Sequence, residues 1–320
     1  MNRESFEAKK FAVKFLKILF ILIFLDFIAG KILEHYYFKI RSGLYHNITY
    51  IIDSTNVETL VFGSSRANHH YIPQVFENKL NTTFYNCGND GIGLVYEAAL
   101  IKAVTTRYTP KRILLDFLPN EFSFDESDRL SYLLPYRRNP SIHPYIIDKS
   151  QFETLKLFTS RIYPYNSLLT TIISGNIKPP TAYEIEARGY DPLNGNMNNS
   201  KPEKLSETGK ILLQKIKIFE DLLNYLAQKN IACYVIISPD YDILDNYESL
   251  TRAKEICGRY SNVHFIDFSK DPSYVGKQSL FNDSYHLNND GAMKFSADMC
   301  NRIQFFERGG NDTASSYIVR

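Results

Sequence analysis

Apolar and polar positions along the chain fall into three regimes. From Phe11 to Ala29 the run FAVKFLKILFILIFLDFIA is nearly all apolar, close to the ~20 residues that a bilayer-spanning helix needs. From Val57 onward, short apolar runs alternate with longer stretches of helical periodicity. Runs of the first kind predict strands, at VETLVF (57–62), TFYNC (83–87), RILLDFL (112–118), IACYVIIS (231–238) and VHFIDF (263–268). The second kind predicts helices over 73–80, 94–108, 205–230, 247–260 and 290–303. Strands separated by helices point to an α/β fold with a parallel sheet covered on both faces.

Residues 121–205 break this alternation. They hold eight of the thirteen Pro and seven Tyr, with helical pieces near 150–160 and 164–173. A connection of that length is too long for a plain loop, so an inserted cap or lid is expected. The expected division is therefore a tip and anchor (1–33), an aromatic connector (34–56), a sheet domain (57–120 with 205–305), a cap (121–204) and a polar tail (306–320).

The apolar N-terminal run is read as an uncleaved transmembrane anchor, because no small-x-small cleavage site follows it. A cleaved signal peptide is the rival, and a buried or interfacial helix is the other alternative. Lys9, Lys10, Lys14 and Lys17 precede or open the apolar core, and Lys31 alone follows it closely. The positive-inside rule then predicts a single-pass membrane protein with a cytoplasmic N-terminus and a periplasmic or extracellular catalytic domain.

Charge and cysteine content narrow the function classes. Lys plus Arg is 37 and Asp plus Glu is 35, for a net charge of +2. Nothing in that balance favours nucleic acid as a partner. Four Cys in 320 residues are too few for a disulfide scaffold. Cys87, Cys233, Cys257 and Cys300 allow three pairings if all are bridged, but Cys233 lies in a predicted core strand and is expected as a buried free thiol. No metal-ligand spacing and no Walker or dinucleotide fingerprint occurs, so no metal and no cofactor are expected.

In open parallel sheets, ligands bind at the carboxyl ends of the strands. The residues after the predicted strands are Gly63-Ser64-Ser65-Arg66, then Asn86-Cys87-Gly88-Asn89-Asp90-Gly91, then Pro119-Asn120-Glu121, and finally Asn282-Asp283-Ser284-Tyr285-His286. Together they supply what acyl transfer requires. A serine hydroxyl is a weak nucleophile until a base takes its proton, and histidine suits that role near neutrality. The base needs a carboxylate to fix its tautomer, and Asp283 is three residues from His286. The Ser65 and Gly91 N–H groups and the Asn120 amide are placed to receive a developing oxyanion.

This pattern resembles the SGNH (GDSL-type) hydrolase superfamily. The resemblance rests on Gly-x-Ser after the first strand, a Gly turn after the second, an Asn after the third and Asp-x-x-His near the C-terminus. It implies a three-layer flavodoxin-like sheet, Ser65 as nucleophile, Gly91 and Asn120 completing the oxyanion hole, and Asp283 and His286 finishing the triad. Two segments depart from the family pattern. Ser64 stands where an Asp is usual, and Leu118-Pro119-Asn120-Glu121 replaces Gly-x-Asn-Asp. Both look like the divergent branch that includes the D-alanyl transfer protein of teichoic acid synthesis and alginate O-acetylation proteins. That branch implies an acylated glycan or other cell-envelope polymer as substrate and a multi-span membrane acyltransferase as partner. The alternative is an inactive SGNH-like module that binds glycan or assists assembly.

Other candidates are weaker. Gly63-x-Ser65-x-Ala67 approximates the nucleophile elbow of α/β-hydrolases, but that serine follows a later strand and its acid and base lie far apart. Arg66 could hold an anionic substrate group, and Tyr136-Arg137-Arg138 an acidic glycan or lipid headgroup, although charged groups are most often simply solvated. His69 and His70 read as surface or cleft-lining residues.

Overall fold

The structure is a computed structural model that describes residues 3–125, 127–149, 151–198 and 201–310. Helices α1 (Arg3–Tyr37) and α2 (Leu44–Asp53) precede β1 (Thr59–Phe62), α3 (Ser65–His70), α4 (Pro73–Leu80), β2 (Phe84–Asn86), α5 (Leu94–Arg107) and β3 (Arg112–Asp116). Next come α6 (His143–Lys149), α7 (Gln151–Thr159), α8 (Leu169–Ile177), α9 (Ala182–Ala187) and the short β4 (Lys204–Leu205). The chain continues through α10 (Leu213–Gln228), β5 (Ala232–Ile237), β6 (Ile243–Leu244), α11 (Glu248–Cys257), β7 (Val263–Asp267) and α12 (Asn289–Glu307). Two compact units result, one of Met1–His46 with Ser131–Pro180 and one of Asn47–Leu130 with Thr181–Arg320.

The second unit contains a five-stranded sheet in the order β2-β1-β3-β5-β7, with every pairing parallel. Counted along the sheet, that is the flavodoxin-like arrangement, in which the strand order reverses beside β1. All residues of β1 and β3 are buried, as a sheet covered on both faces requires. Side chains alternate between the two faces. Val61, Leu114, Tyr234, Ile236 and Ile266 join a core with Ala292, Phe295, Met299 and Ile303 of α12. Phe117, just past β3, has its ring centroid 5.2 Å from that of Phe219 on α10. The register aligns the strand ends, pairing Phe62 with Leu115 and Leu115 with Val235. The loops after β1, β3 and β5 therefore leave the sheet at one level.

Helix α10 begins at Leu213, eight residues later than its periodicity suggests, because Lys204–Leu205 pairs in parallel with Ile243–Leu244. The expected connector over 34–56 is largely helical. Ile48, Ile51 and Ile52 bury one face of α2 at helical spacing, a signal masked by the surrounding aromatics.

In the first unit, the expectation of a transmembrane anchor is corrected. No helix among the described residues is long and apolar enough to cross a membrane. Helix α1 is long enough at 35 residues. But Lys14, Lys17, Asp26 and Lys31 leave only Ile18–Leu25 uninterrupted. The predicted single-pass topology, with its cytoplasmic N-terminus and extracytoplasmic domain, falls with it. Asp26 is a built-in acceptor, taking hydrogen bonds from the Ser160 hydroxyl and the Arg161 N–H, both at 2.6 Å. Tyr136 and Arg137 are buried, with the Arg137 guanidinium 5.9 Å over the Tyr165 ring, so that pair belongs to the interior and is no ligand cluster. Arg138 is exposed and reaches Glu34. The polar tail expected from residue 306 is helical to Glu307, and from Asn311 it lies outside the described residues. Cys87, Cys233, Cys257 and Cys300 are all free and buried, and burial pushes the Cys233 and Cys300 thiols up to about 12.

Candidate active site

Strand β1 ends at Phe62, and Gly63 makes the turn with φ +152°. A Cβ at Gly63 would lie 2.8 Å from the Cβ atoms of both Ala67 and Asp116. Only glycine lets the chain enter α3 this close to β3. Ser65 is then the first residue of α3, half-buried, with its N–H in a first turn that has no intrahelical acceptor. Ser64 occupies the N-cap position, but its side chain caps nothing.

The opposing loop is shaped by its own aspartate. Phe281 and Leu287 form an antiparallel bridge, and the Asn282 N–H donates to the His286 carbonyl at 2.8 Å. Asp283 Oδ1 accepts from the Tyr285 N–H at 2.9 Å and the His286 N–H at 3.0 Å. That turn folds the carboxylate back beside the ring of His286, whose Nδ1 lies 2.9 Å from Oδ1 and 3.0 Å from Oδ2. His286 Nε2 lies 2.7 Å from Ser65 Oγ, across 221 residues of sequence.

Protonation follows from the partners. Burial by itself would raise Asp283, but hydrogen bonds from the Tyr285 N–H and the His286 ring outweigh it and hold the carboxyl below its ordinary value. An ionised carboxylate only accepts, so His286 Nδ1 carries the proton. Nε2 is left with its lone pair toward the Ser65 hydroxyl, the arrangement a general base requires.

The other expected site residues fare unevenly. Gly91 sits in the turn before α5 at φ +70°, where a Cβ would lie 3.2 Å from an Arg129 guanidinium nitrogen. The carbonyl of Asn120 accepts from Ser123 and Phe124, while its side-chain amide is exposed and makes no hydrogen bond among the described residues. Arg66 is not available to a substrate. Its side chain is 4% exposed, ion-paired with Asp240 and bonded to the Ser238 carbonyl at 3.3 Å.

His69 and His70, expected as surface or cleft-lining residues, are both buried. His69 Nδ1 lies 2.5 Å from the Asp191 carbonyl and Nε2 3.3 Å from Asp90. Burial pulls its pKa down, but these two partners outweigh it and raise the ring above its ordinary value. Asn68 steadies Asp90 at 2.9 Å.

Sequence reasoning missed a buried polar cluster beneath Ser65. Tyr71 donates to Asp116 at 2.5 Å, His70 lies 3.2 Å from Ser238 Oγ, and Arg66 pairs with Asp240. A signal was available, since Asp116 is a carboxylate inside a predicted apolar strand, Ser238 ends another and Asp240 follows it. Burial pushes Asp116 up to about 6 despite the Arg66 charge and the Tyr71 and Ser238 hydrogen bonds. A carboxyl whose folded pKa lies above its unfolded value binds more protons when folded. Its stabilising contribution is therefore complete below about pH 4 and lost as pH rises through about 6. Asp116→Asn lacks this loss and keeps an acceptor for Tyr71. Urea unfolding at pH 4.5 and 7.5 should show the variant gaining stability relative to wild type as pH rises. A constant difference between them would sink this account.

No protein-family model matches the chain, and no curated protein matches it. Among solved structures it is similar to a protein provisionally named a platelet activating factor, from Streptococcus pneumonia. The two are 10% identical with a TM-score of 0.43, over 91% of this chain and 99% of that one. A likeness at that level carries no argument about activity.

Proposed function

We propose that this chain is a serine esterase or O-acyltransferase of SGNH type, acting on acyl esters, acetyl above all, of cell-envelope glycans. The observation that supports it is the continuous contact from Ser65 Oγ through the His286 ring to Asp283, at 2.7 and 2.9 Å. Ser65 Oγ attacks the acyl carbonyl carbon as its proton passes to His286 Nε2. The Ser65 and Gly91 N–H groups and the Asn120 amide are the donors for the oxyanion. His286 then returns the proton to the departing alkoxide, leaving an acyl group on Ser65. A second hydroxyl, from water or a sugar, is deprotonated by His286, attacks the acyl carbon and restores Ser65. Water gives deacylation and sugar gives transfer. The glycan as substrate rests on the sequence resemblance, and in the transfer mode a second protein would supply the acyl donor.

The test uses the full chain, with p-nitrophenyl acetate as substrate and a fluorophosphonate as covalent probe. Labelling of wild type, absent from Ser65→Ala, supports the reading. A folded wild-type chain that neither labels nor hydrolyses overturns it in favour of a binding module. Asp283→Asn puts a possible donor where Nδ1–H needs an acceptor, so the wrong imidazole tautomer is favoured. It is expected to lower kcat by about 10⁴-fold with KM little changed.

A further inference from the structure

We infer that His70 is a positioning residue for His286, holding the base against Ser65 by accepting the Leu287 N–H. This assignment rests on the esterase reading above. His70 Nε2 accepts the Leu287 N–H at 3.0 Å, one residue from the base itself. A nitrogen that accepts carries no proton, so His70 Nδ1 holds it and donates to Ser238 Oγ at 3.2 Å. Ser238 directly follows β5, so the imidazole bridges the rigid sheet edge to the loop that carries Asp283 and His286.

The ring has no freedom to do otherwise. His70 is 0% exposed, with ring centroids of Phe295 at 6.2 Å and His286 at 6.3 Å. Its own carbonyl accepts from Ser296 on α12 at 3.1 Å, and Ser296 Oγ in turn accepts the Ile72 N–H at 2.9 Å. Burial and the nearby Arg66 charge hold the ring neutral, the only form able to accept at Nε2.

Ser65 and His70 are the two ends of one helix, α3. One end presents the hydroxyl and the other grips the backbone beside its base. The length of α3 therefore sets the Ser65–His286 distance. A misplacement of about 1 Å can cost ~10²-fold in rate.

Two substitutions separate the two ring nitrogens. In His70→Gln the amide end reaches the place of Nε2 and can accept from Leu287. In His70→Asn the shorter side chain reaches the place of Nδ1 and Ser238, leaving the Leu287 N–H unpaired. The measurements are kcat and KM for p-nitrophenyl acetate, the fluorophosphonate labelling rate and the thermal melt, all on the full chain. The expected result is His70→Gln within about 5-fold of wild type, and His70→Asn about 10- to 100-fold lower in kcat and labelling rate with KM steady. Equal rates for the two variants, or Asn faster than Gln, overturn the assignment. A variant that melts below the assay temperature is read at a lower one, where the same ordering decides. Wild type that resists the probe defeats the esterase reading and this assignment with it. Labelled wild type with an undiminished Asn variant defeats this assignment alone.

Discussion

Ser65→Ala is expected to reduce turnover of an activated ester by on the order of 10⁵- to 10⁶-fold, leaving only the catalysis that binding and oxyanion donors provide. The size follows from the covalent step. Without Oγ there is no acyl-enzyme, and His286 Nε2 loses the hydroxyl it holds at 2.7 Å. His286→Ala should cost a similar factor, because an unactivated serine hydroxyl is a poor nucleophile at neutral pH. The double variant should be scarcely slower than either single one, since the residues act as a unit. Stability is expected to change little in Ser65→Ala, because the side chain is half-buried. Equal melting temperatures together with collapsed kcat would place the loss in chemistry. Retention of more than about a hundredth of wild-type turnover would exclude Ser65 as the nucleophile.

Arg66→Ala should give the largest loss of stability, about 3–5 kcal/mol, the range for breaking a buried ion pair from one side. Arg66 and Asp240 are nearly inaccessible, at 4% and 1% side-chain exposure. The Arg66 charge also acts on Asp116, whose pKa is already raised by burial. Alanine therefore strands two carboxyl groups away from water and leaves the Ser238 carbonyl without its guanidinium donor. The pairing predicts its own rescue. Arg66→Met with Asp240→Asn removes both charges at similar volume and should be less destabilised than Arg66→Ala alone. Urea denaturation midpoints measure both. A loss under about 1 kcal/mol for Arg66→Ala would show that the charges are not buried together in solution.

These two expectations concern adjacent residues, and they differ in how far the amino-acid order revealed them. Ser65 was legible because chemistry constrains its neighbourhood. A glycine turn after an apolar run, with an Asp-x-x-His far downstream, is a pattern that survives without coordinates. The Asp283 turn was legible for the same reason, since a three-residue spacing suffices for a local hydrogen bond. Arg66 reads as a solvated or ligand-binding cation when taken alone. Its partner lies 174 residues away and follows a strand that pairs two places across the sheet. His70 was hidden in the same way, because its acceptor role depends on a backbone N–H 217 residues distant.

Helix α1 teaches the converse lesson. Its composition suggested a membrane crossing, yet hydropathy averaged over a run hides the positions of individual charges. Asp26 shows what that average misses. Its carboxylate faces the Ser160 hydroxyl and the Arg161 and Ile162 N–H groups, a site that no local periodicity encodes.

Residue order alone established the alternation of strands and helices and the parallel sheet, and it singled out Ser65, Asp283 and His286, which the structure brings together. Each of these depends on periodicity or short-range spacing, which local sterics and burial impose within about ten residues. Packing in three dimensions alone decided that Arg66 and His70 are buried and that Asp116 is poised near neutrality. For the buried groups the reason is that desolvation and partner choice belong to the environment. The partners of a buried charge come from strands and helices that the chain brings together only on folding.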